Sequence, residues 1–278
     1  MTSPYLVNCS TLFTELPVLQ RPAAARAAGF DAIEFWWPFP QPLPAAAEVD
    51  AFVDAVGAAG VQLVGLNLFA GDMPGGDRGV VSWPGREQEF SENLELAVDI
   101  GRGLGIRVFN ALYGNRIDGV PPAEQDELAQ ENLALAAKAA AQIGATILVE
   151  PLSGAARYPL TLAVHVRDVL DRLIAAGVEN VGMLADLYHL AVNGEDLARA
   201  IEQHRALIAH VQIADAPGRG APGTGDLPLR QWIADLEGGG YDGFIGLEYL
   251  PVPGVDTFAW LPPQERGVPS GAGGEGIA

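Results

Sequence analysis

The chain repeats one pattern of hydrophobic and polar positions: a glycine, a short apolar run, and a polar residue that ends the run. Glycine supplies the left-handed conformation that closes a helix, and a continuous apolar run is typical of a strand buried on both faces. The pattern therefore predicts helix–strand units that build a parallel sheet. Six runs begin with glycine: 29–34 (GFDAIE), 60–67 (GVQLVGLN), 105–110 (GIRVFN), 144–150 (GATILVE), 177–186 (GVENVGMLAD) and 240–248 (GYDGFIGLE). A seventh run, 208–212 (IAHVQ), ends in the same way without the leading glycine.

Eight predicted strands alternate with seven predicted helices, which favours a (β/α)8 TIM barrel of the usual size, about 250 residues. A doubly wound open sheet is the alternative, but it does not explain why polar residues end nearly every strand. We expect the barrel to span residues 1–261 and the Pro/Gly-rich segment 262–278 to be a disordered tail. The predicted strands are 5–8, 32–36, 62–68, 107–112, 146–150, 181–186, 208–215 and 244–249. The predicted helices are 17–28, 44–59, 87–104, 122–143, 162–175, 196–204 and 229–236.

Charge and composition narrow the class of protein. The chain carries 16 basic and 35 acidic residues, a net charge of −19, which repels nucleic acid and anionic membranes. An anionic substrate must therefore be captured by a local cation or metal. No apolar run approaches the ~20 residues of a membrane span, no secretory signal is visible, and the single cysteine, Cys9, excludes an internal disulfide. We expect a soluble cytoplasmic protein; the sequence leaves open whether it forms a homo-oligomer.

The last four strands end in polar side chains that could bind a cation. Glu150, Asp186, Gln212 and Glu248 follow one another at intervals of 36, 26 and 36 residues, each near one strand–helix unit. Because a barrel presents its active site at the carboxyl ends of its strands, these side chains should converge. Crowded carboxylates repel one another, and a divalent cation resolves that conflict. All-oxygen ligands suit Mg²⁺ or Mn²⁺ better than Zn²⁺. Unrelated strand-end caps or ion pairs are the alternative.

Histidines and one arginine near these strand ends are further candidates. His189, three residues after the strand-six aspartate, can meet a substrate oxygen, act as an acid or be a hydrogen-bonded loop residue. Arg219, after strand seven, can neutralise a carboxylate, or it is an exposed loop residue. His210 is predicted to be a buried hydrogen-bonding side chain. His165 and His204 are expected at the surface.

The first half of the barrel offers weaker signals. The long loop 70–86 is typical of a lid or a binding loop, and its glycines do not match a phosphate-binding motif. Three polar residues that end early strands are expected to line the other half of the pocket, and three aromatic residues form either an apolar wall or ordinary core. These residues are Glu34, Asn67 and Asn110, and Trp36, Trp37 and Phe39.

Several segments, spread over residues 5 to 251, resemble the hydroxypyruvate isomerase family of xylose-isomerase-like barrels. The most specific is HVQIADAPGRGAPGTG, and ILVEP alone would be weak. The chain departs from the usual family pattern at 152–157 (LSGAAR) and in the bulky Trp36-Trp37 pair, both near the expected substrate pocket. The other matching segments are NCSTLFTELPVLQRPAAARAAGFDAIEFWWPF, LFAGDMPGGDRG, DLYH and GYDGFIGLEY.

The resemblance implies a metal-assisted isomerase of a small hydroxy-keto acid. The leading substrate pair is hydroxypyruvate and tartronate semialdehyde, interconverted through an enediolate by proton transfer with two glutamates. The implied residues are Glu150 and Glu248 as acid and base, Glu150, Asp186, Gln212 and Glu248 as metal ligands, and His189 and Arg219 as substrate-binding residues.

Other functions stay open at this point. A 2-oxo-tetronate isomerase or a ketose 3-epimerase keeps the chemistry and changes the substrate. A hydride-shift isomerase would want further carboxylates for a second metal. A DNA-repair endonuclease on this barrel would need a basic face and a histidine-rich zinc site, which four histidines and a charge of −19 oppose. A non-catalytic barrel that binds a sugar acid is the remaining alternative.

Overall fold

The computed structural model describes residues 3–267 and shows a closed barrel of eight parallel strands. Each strand pairs with the next one in sequence, and the last strand closes the barrel against the first. The predicted fold is therefore confirmed, and an open sheet is excluded. The strands are β1 (Tyr5–Asn8), β2 (Ala32–Phe35), β3 (Gln62–Asn67), β4 (Val108–Asn110), β5 (Thr146–Val149), β6 (Val181–Asp186), β7 (Ile208–Ile213) and β8 (Ile245–Leu247).

The α-helices surround the strands nearly as predicted, with one additional helix. A short helix directly after β6 was not predicted; it forms because the Asp186 side chain accepts the backbone N–H groups of Tyr188 and His189 and so caps it. Within residues 3–267, only a 3-10 turn, Pro263–Glu265, follows β8. The α-helices are α1 (Arg21–Ala27), α2 (Ala46–Ala59), α3 (Glu87–Leu104), α4 (Pro122–Ala141), α5 (Ala163–Ala175), α6 (Leu187–Val192), α7 (Leu197–His204) and α8 (Leu229–Gly238).

The glycines that begin the repeated pattern have the expected backbone conformation. All six lie at positive φ, where a side chain would be strained. Gly60 and Gly105, for example, directly follow α2 and α3 at φ values of 65° and 70°. The pattern therefore marks real helix ends. The six are Gly29, Gly60, Gly105, Gly144, Gly177 and Gly240.

Strand alternation places an inner layer of residues beneath the polar strand ends. Side chains two positions apart on a strand share a face, so Val108, Leu148 and Leu184 lie on the same face as the polar residues that end their strands. These three side chains pack together as a small buried cluster. The main hydrophobic core contains residues from both the strands and the surrounding helices, including the alanine-rich face of α4. The polar strand ends of β4, β5 and β6 thus lie directly above a buried apolar layer.

The expected C-terminal tail begins within the packed part of the molecule. Arg266 donates hydrogen bonds to the backbone carbonyls of Leu261, Ala28 and Phe258, which fixes residues 262–267 against the barrel. The remainder of the expected tail, 268–278, lies outside the described residues. Over the described range 3–267, the helices are too short or too polar to cross a membrane.

Candidate active site

The four strand-end residues that we predicted as ligands come together at one end of the barrel. Glu150 and Glu248 directly follow β5 and β8, Asp186 ends β6, and Gln212 pairs in register with Asp186 on β7. All four side chains are buried. Closure of the barrel is what brings residues almost a hundred positions apart into one cluster.

Three carboxylates and one imidazole form the centre of this cluster. One ligand atom from each of Glu150, Asp186, His189 and Glu248 lies within 4.8 Å of the other three. Buried carboxylates this close repel one another, and each tends to hold its proton unless a cation is present. The cluster therefore needs protons or a cation to offset the repulsion between its carboxylates.

Glu248 is the most heavily hydrogen-bonded of the three carboxylates. Its Oε1 accepts from Trp36 Nε1 at 2.6 Å and from Asn8 Nδ2 at 2.9 Å. Its Oε2 accepts from the Arg219 guanidinium. Burial raises the pKa of Glu248 to about 7; Arg219 opposes that rise, and Asp186 adds to it. Glu248 can therefore exchange a proton near neutral pH.

Glu150 and Asp186 accept fewer hydrogen bonds than Glu248 among the described residues. Glu150 Oε2 accepts from Asn110 Nδ2 at 2.6 Å. Asp186 Oδ1 caps α6, whereas its Oδ2 is buried and accepts no hydrogen bond among the described residues. Burial, followed by the charges of Glu248 and Asp186, raises the pKa of Glu150 well above the usual value. Burial likewise raises the pKa of Asp186, although Arg219 opposes the rise.

Gln212 is oriented by a glutamate from the opposite half of the barrel. Its Nε2 donates to Glu34 Oε1 at 2.6 Å, while its Oε1 is buried and has no hydrogen-bond partner in the described part of the chain. Glu34 Oε2 in turn lies 2.7 Å from His210 Nε2. The prediction that His210 is a buried hydrogen-bonding residue is confirmed. Glu34 turns the amide so that its oxygen remains available as a ligand.

His189 is held in a tautomer that donates toward the carboxylates. The backbone N–H of Ser153 points at His189 Nδ1 at 3.2 Å, so Nδ1 accepts and the proton of the neutral ring lies on Nε2. Burial, and then the charge of Arg219, lowers the pKa of His189 to about 3, which keeps the ring neutral. Nε2 lies 3.5 Å from Asp186 Oδ2 and 4.0 Å from Glu150 Oε1. A protonated Nε2 is a hydrogen-bond donor rather than a metal ligand.

Arg219 enters the site from a loop that a buried aspartate organises. Asp215 is fully buried and accepts the backbone N–H groups of Ala216, Gly223, Gly225 and Leu227. Within this loop Arg219 has a φ of 55°, a costly conformation for a non-glycine residue that the surroundings must impose. Sequence reasoning missed Asp215, because a lone aspartate after a strand is a weak signal.

The donor set fits a hard divalent cation. Asp186 Oδ2 and Gln212 Oε1 are buried oxygens without hydrogen-bond partners in the range 3–267, and both belong to predicted ligands. Three ionised carboxylates beside one guanidinium would leave two negative charges, which a divalent cation would neutralise. Oxygen ligands of this kind suit Mg²⁺ or Mn²⁺.

Two adjoining cavities lie over the cluster. The inner one, about 120 Å³, is lined by Glu150, His189, Arg219 and Glu248. The outer one, about 820 Å³, is lined by residues of the loop 70–86 and by aromatic side chains, as expected for an apolar wall. The residues that line both cavities are Trp36, Asn67, Met73 and Arg78.

Several expectations about individual residues need adjustment. Of the early strand ends, Asn67 lines the cavities, whereas Glu34 and Asn110 lie behind the ligands and hold them. His204 is buried, contrary to the expected surface position, because it lies on the inward face of α7. His165 is half-buried and accepts the backbone N–H of Leu162 at the start of α5.

Comparison with known proteins identifies the family to which the chain belongs. The sequence model of the xylose isomerase-like TIM barrel family matches residues 22–268. A crystal structure described as an AP endonuclease, family 2, from Brucella melitensis superposes with a TM-score of 0.82 at 33% identity, covering 92% of this chain and 97% of that one.

Two curated relatives identify the group within this barrel family. The chain is 55% identical to a putative hydroxypyruvate isomerase of Streptomyces coelicolor, over 94% of this chain and 96% of the relative. It is 33% identical to a 2-oxo-tetronate isomerase of Cupriavidus necator, over 93% and 97% of the two chains. The chain therefore belongs to the hydroxypyruvate isomerase family of the xylose isomerase-like TIM barrels and is an enzyme of the isomerase class.

Proposed function

We propose that this protein interconverts hydroxypyruvate and tartronate semialdehyde (2-hydroxy-3-oxopropanoate) by proton transfer through an enediolate. The observation that carries the proposal is the placement of Glu150 and Glu248 on different strands, with carboxylate oxygens within 4.8 Å of each other beside one small cavity. Burial raises the pKa values of both carboxyl groups, that of Glu248 to about 7, and raised pKa values suit a pair that takes and returns a proton.

The reaction needs a proton to leave one carbon and a proton to arrive at its neighbour. One glutamate takes the proton from C3 of hydroxypyruvate, which makes the enediolate. A proton is then returned to C2, and the proton of the C3 hydroxyl group passes to the C2 oxygen, so that C3 becomes the aldehyde. The other glutamate carries one of these two transfers. Positioned groups of this kind contribute about 10²–10⁴-fold each. The direction of the two glutamates stays open, because the same pair must serve both directions of the isomerisation.

Neighbouring side chains stabilise the charge that develops on oxygen. His189 Nε2–H faces Asp186 and Glu150 and can donate to a substrate oxygen that enters between them. Arg219 adds positive charge beside Glu248. The residues that would hold a divalent cation are Glu150, Asp186, Gln212 and Glu248, and Mg²⁺ or Mn²⁺ would supply further positive charge opposite the enediolate oxygens.

The size of the inner cavity and the names of the relatives support a small keto acid. About 120 Å³ is well below the roughly 300–1,000 Å³ typical of sites for drug-sized ligands. The Streptomyces coelicolor relative is described as a putative hydroxypyruvate isomerase. The adjoining outer cavity gives room for another carbon, which favours 2-oxo-tetronate as the second candidate substrate. A ketose 3-epimerase would use the same acid–base pair on a longer neutral sugar.

An assay in D₂O tests the reaction and its mechanism together. Hydroxypyruvate, 2-oxo-tetronate and a neutral ketose are each incubated with the enzyme, with Mn²⁺ and with a chelator. We expect fastest turnover of hydroxypyruvate, loss of turnover in the chelator, and deuterium at the newly protonated carbon. Turnover with no deuterium at all would reject the two-glutamate scheme, and turnover of only the neutral ketose would reject the substrate assignment.

A further inference from the structure

We infer that Arg78 binds the carboxylate group of the substrate and so selects 2-oxo acids over neutral ketoses. This inference rests on the proposed function and names the residue that sets its substrate class. Arg78 lies in the loop 70–86 and is one of the four residues that line both cavities.

Arg219, the other arginine of the inner cavity, is already committed to protein carboxylates. Its guanidinium donates to Glu248 Oε2, and its Nε donates to the Glu248 backbone carbonyl at 3.2 Å. It also lies 3.5 Å from Asp186 Oδ2. The positive charge of Arg219 therefore compensates the cluster, and an incoming carboxylate would have to compete with two buried acids for it.

Arg78 has no such competitor. Its Nη1 donates to the backbone carbonyls of Met73 at 3.0 Å and Asp77 at 2.6 Å, and the Nε and Nη2 groups donate to nothing within residues 3–267. Over the same range Arg78 makes no ion pair, although the chain has a net charge of −19. A half-buried guanidinium with one free edge at a cavity is suited to bind a carboxylate through two parallel hydrogen bonds.

The backbone that carries Arg78 is fixed against the barrel. Gly114 N–H donates to the Arg78 carbonyl at 3.0 Å, and Gly79 N–H donates to the Ala70 carbonyl at 2.9 Å. A side chain at Gly79, where φ is +101°, would lie 1.8 Å from the Leu112 carbonyl oxygen. This close approach requires glycine and holds the neighbouring arginine at the cavity mouth, so Arg78 is presented in a preorganised position.

Electrostatics explains why a dedicated cation is needed. The substrate anion must approach three carboxylates, Glu150, Asp186 and Glu248, in a buried site. A cation separate from those carboxylates stabilises the substrate carboxylate, while Arg219 continues to compensate the negative charge of the cluster. Hydrogen bonds to charged groups of this kind change binding by about 10- to 100-fold.

The test compares Arg78→Gln and Arg78→Lys with Arg86→Gln as the matched control. Arg86 lies on the same loop and lines only the outer cavity, where it pairs with Glu89 and stacks on Trp83. KM and kcat are measured for hydroxypyruvate. The inhibition constant is measured for dihydroxyacetone, in which a hydroxymethyl group replaces the carboxylate, and Mn²⁺ affinity is measured by calorimetry.

We expect Arg78→Gln to raise KM for hydroxypyruvate by about 30- to 100-fold, with a smaller change in kcat. Dihydroxyacetone inhibition and Mn²⁺ affinity should stay within about threefold of wild type, because neither involves the carboxylate. Arg78→Lys should fall between wild type and Arg78→Gln, since an ammonium group keeps the charge but loses the planar pair of donors. Arg86→Gln should stay within about threefold, as expected for a partly exposed ion pair.

Different outcomes would separate this inference from the proposed function. An active wild type with an unchanged KM in Arg78→Gln would overturn the assignment of Arg78 alone. Equal losses for hydroxypyruvate and dihydroxyacetone would overturn it as well, by showing a structural effect on the loop. A wild-type enzyme that neither binds nor converts 2-oxo acids would overturn both proposals.

Discussion

The two halves of the barrel rim differ in what their polar residues do. The second half, from β5 to β8, contributes the predicted cation ligands, and two of these keep a buried oxygen without a hydrogen-bond partner in the described chain. The first half, from β1 to β4, contributes side chains that hydrogen-bond to those ligands: Asn8 to Glu248, Glu34 to Gln212 and Asn110 to Glu150. The second half thus supplies the predicted cation ligands, and these three residues of the first half orient them.

Polar residues at the strand ends therefore have two different roles in this barrel. Two of the predicted ligands, Asp186 and Gln212, keep a buried oxygen without a hydrogen-bond partner among residues 3–267. A supporting residue uses its polar atoms on other side chains, as Glu34 does with three donors, from Asn8, His210 and Gln212. Supporting partners of this kind orient ligands and commonly affect metal affinity by 10- to 100-fold.

The largest expected effect is loss of turnover in Glu248→Gln. The amide keeps the shape of the side chain but cannot accept and return a proton, so kcat should fall by about 10³-fold or more. Steady-state kinetics measures this effect, with Glu202→Gln, an exposed charge change on α7, as the control. A Glu248→Gln variant that keeps a tenth of the wild-type kcat would contradict the assigned proton transfer. If neither the wild type nor the variant turned over substrate and both bound it with the same affinity, a non-catalytic binding barrel would be favoured.

A smaller effect is expected in the supporting half, from Glu34→Gln. The new amide would place an N–H₂ group against the donors of Gln212 and His210, so Gln212 should lose its orientation. Mn²⁺ affinity should fall by about 10- to 100-fold while the fold remains intact. Calorimetry and circular dichroism measure the two quantities. Asp126→Asn is the matched control, because Asp126 also accepts from two side chains, the buried Tyr113 and the half-buried Arg116, but lies away from the ligands. Equal metal affinity in both variants would remove the distinction between the two halves.

The smallest expected effect is a pH dependence of metal stabilisation. Burial raises the pKa of Glu248 from its ordinary value of 4.5 to about 7. Because the folded state then binds the proton more tightly than the unfolded state, the metal-free protein should lose stability as the pH rises from about 4.5 to about 7. Metal binding needs the ionised form, so the stabilisation by Mn²⁺ should instead increase over this window.

Thermal melts with Mn²⁺ and with a chelator, from pH 5 to 8, measure both trends. At a metal concentration of 100 times Kd the stabilisation would be about 2.7 kcal/mol, which is a shift of several degrees in Tm. In Glu248→Gln the dependence on pH near 7 should weaken. A shift in Tm with Mn²⁺ that is the same at pH 5 and pH 8 would contradict the prediction.

Much of the fold and part of the site could be read along the chain. Glycine-led apolar runs and their polar ends are local features, since each follows from helix termination and strand burial within about ten residues. The strand-end spacing was sufficient to identify Glu150, Asp186, Gln212 and Glu248 as one group, and the structure brings them together. Their assigned catalytic and ligand roles stay predictions.

Other features depend on contacts that no local pattern encodes. Asn8 reaches Glu248 across 240 positions because β1 and β8 close the barrel. Trp36 was expected to be part of an apolar wall or of the core, and its Nε1 in addition donates to Glu248. The tautomer of His189 depends on Ser153, in the segment 152–157 that departs from the usual family pattern.

The amino-acid sequence alone was thus enough to predict the alternation of strands and helices and the polar residues at strand ends, because these properties arise within single strand–helix units. Only the tertiary structure decided which buried oxygens lack a hydrogen-bond partner within residues 3–267. It also decided that Arg219 pairs with carboxylates, whereas Arg78 faces the cavity without an ion pair in that range. Hydrogen bonds and charge interactions act over a few ångströms in space, and only the closed barrel determines which side chains come that near.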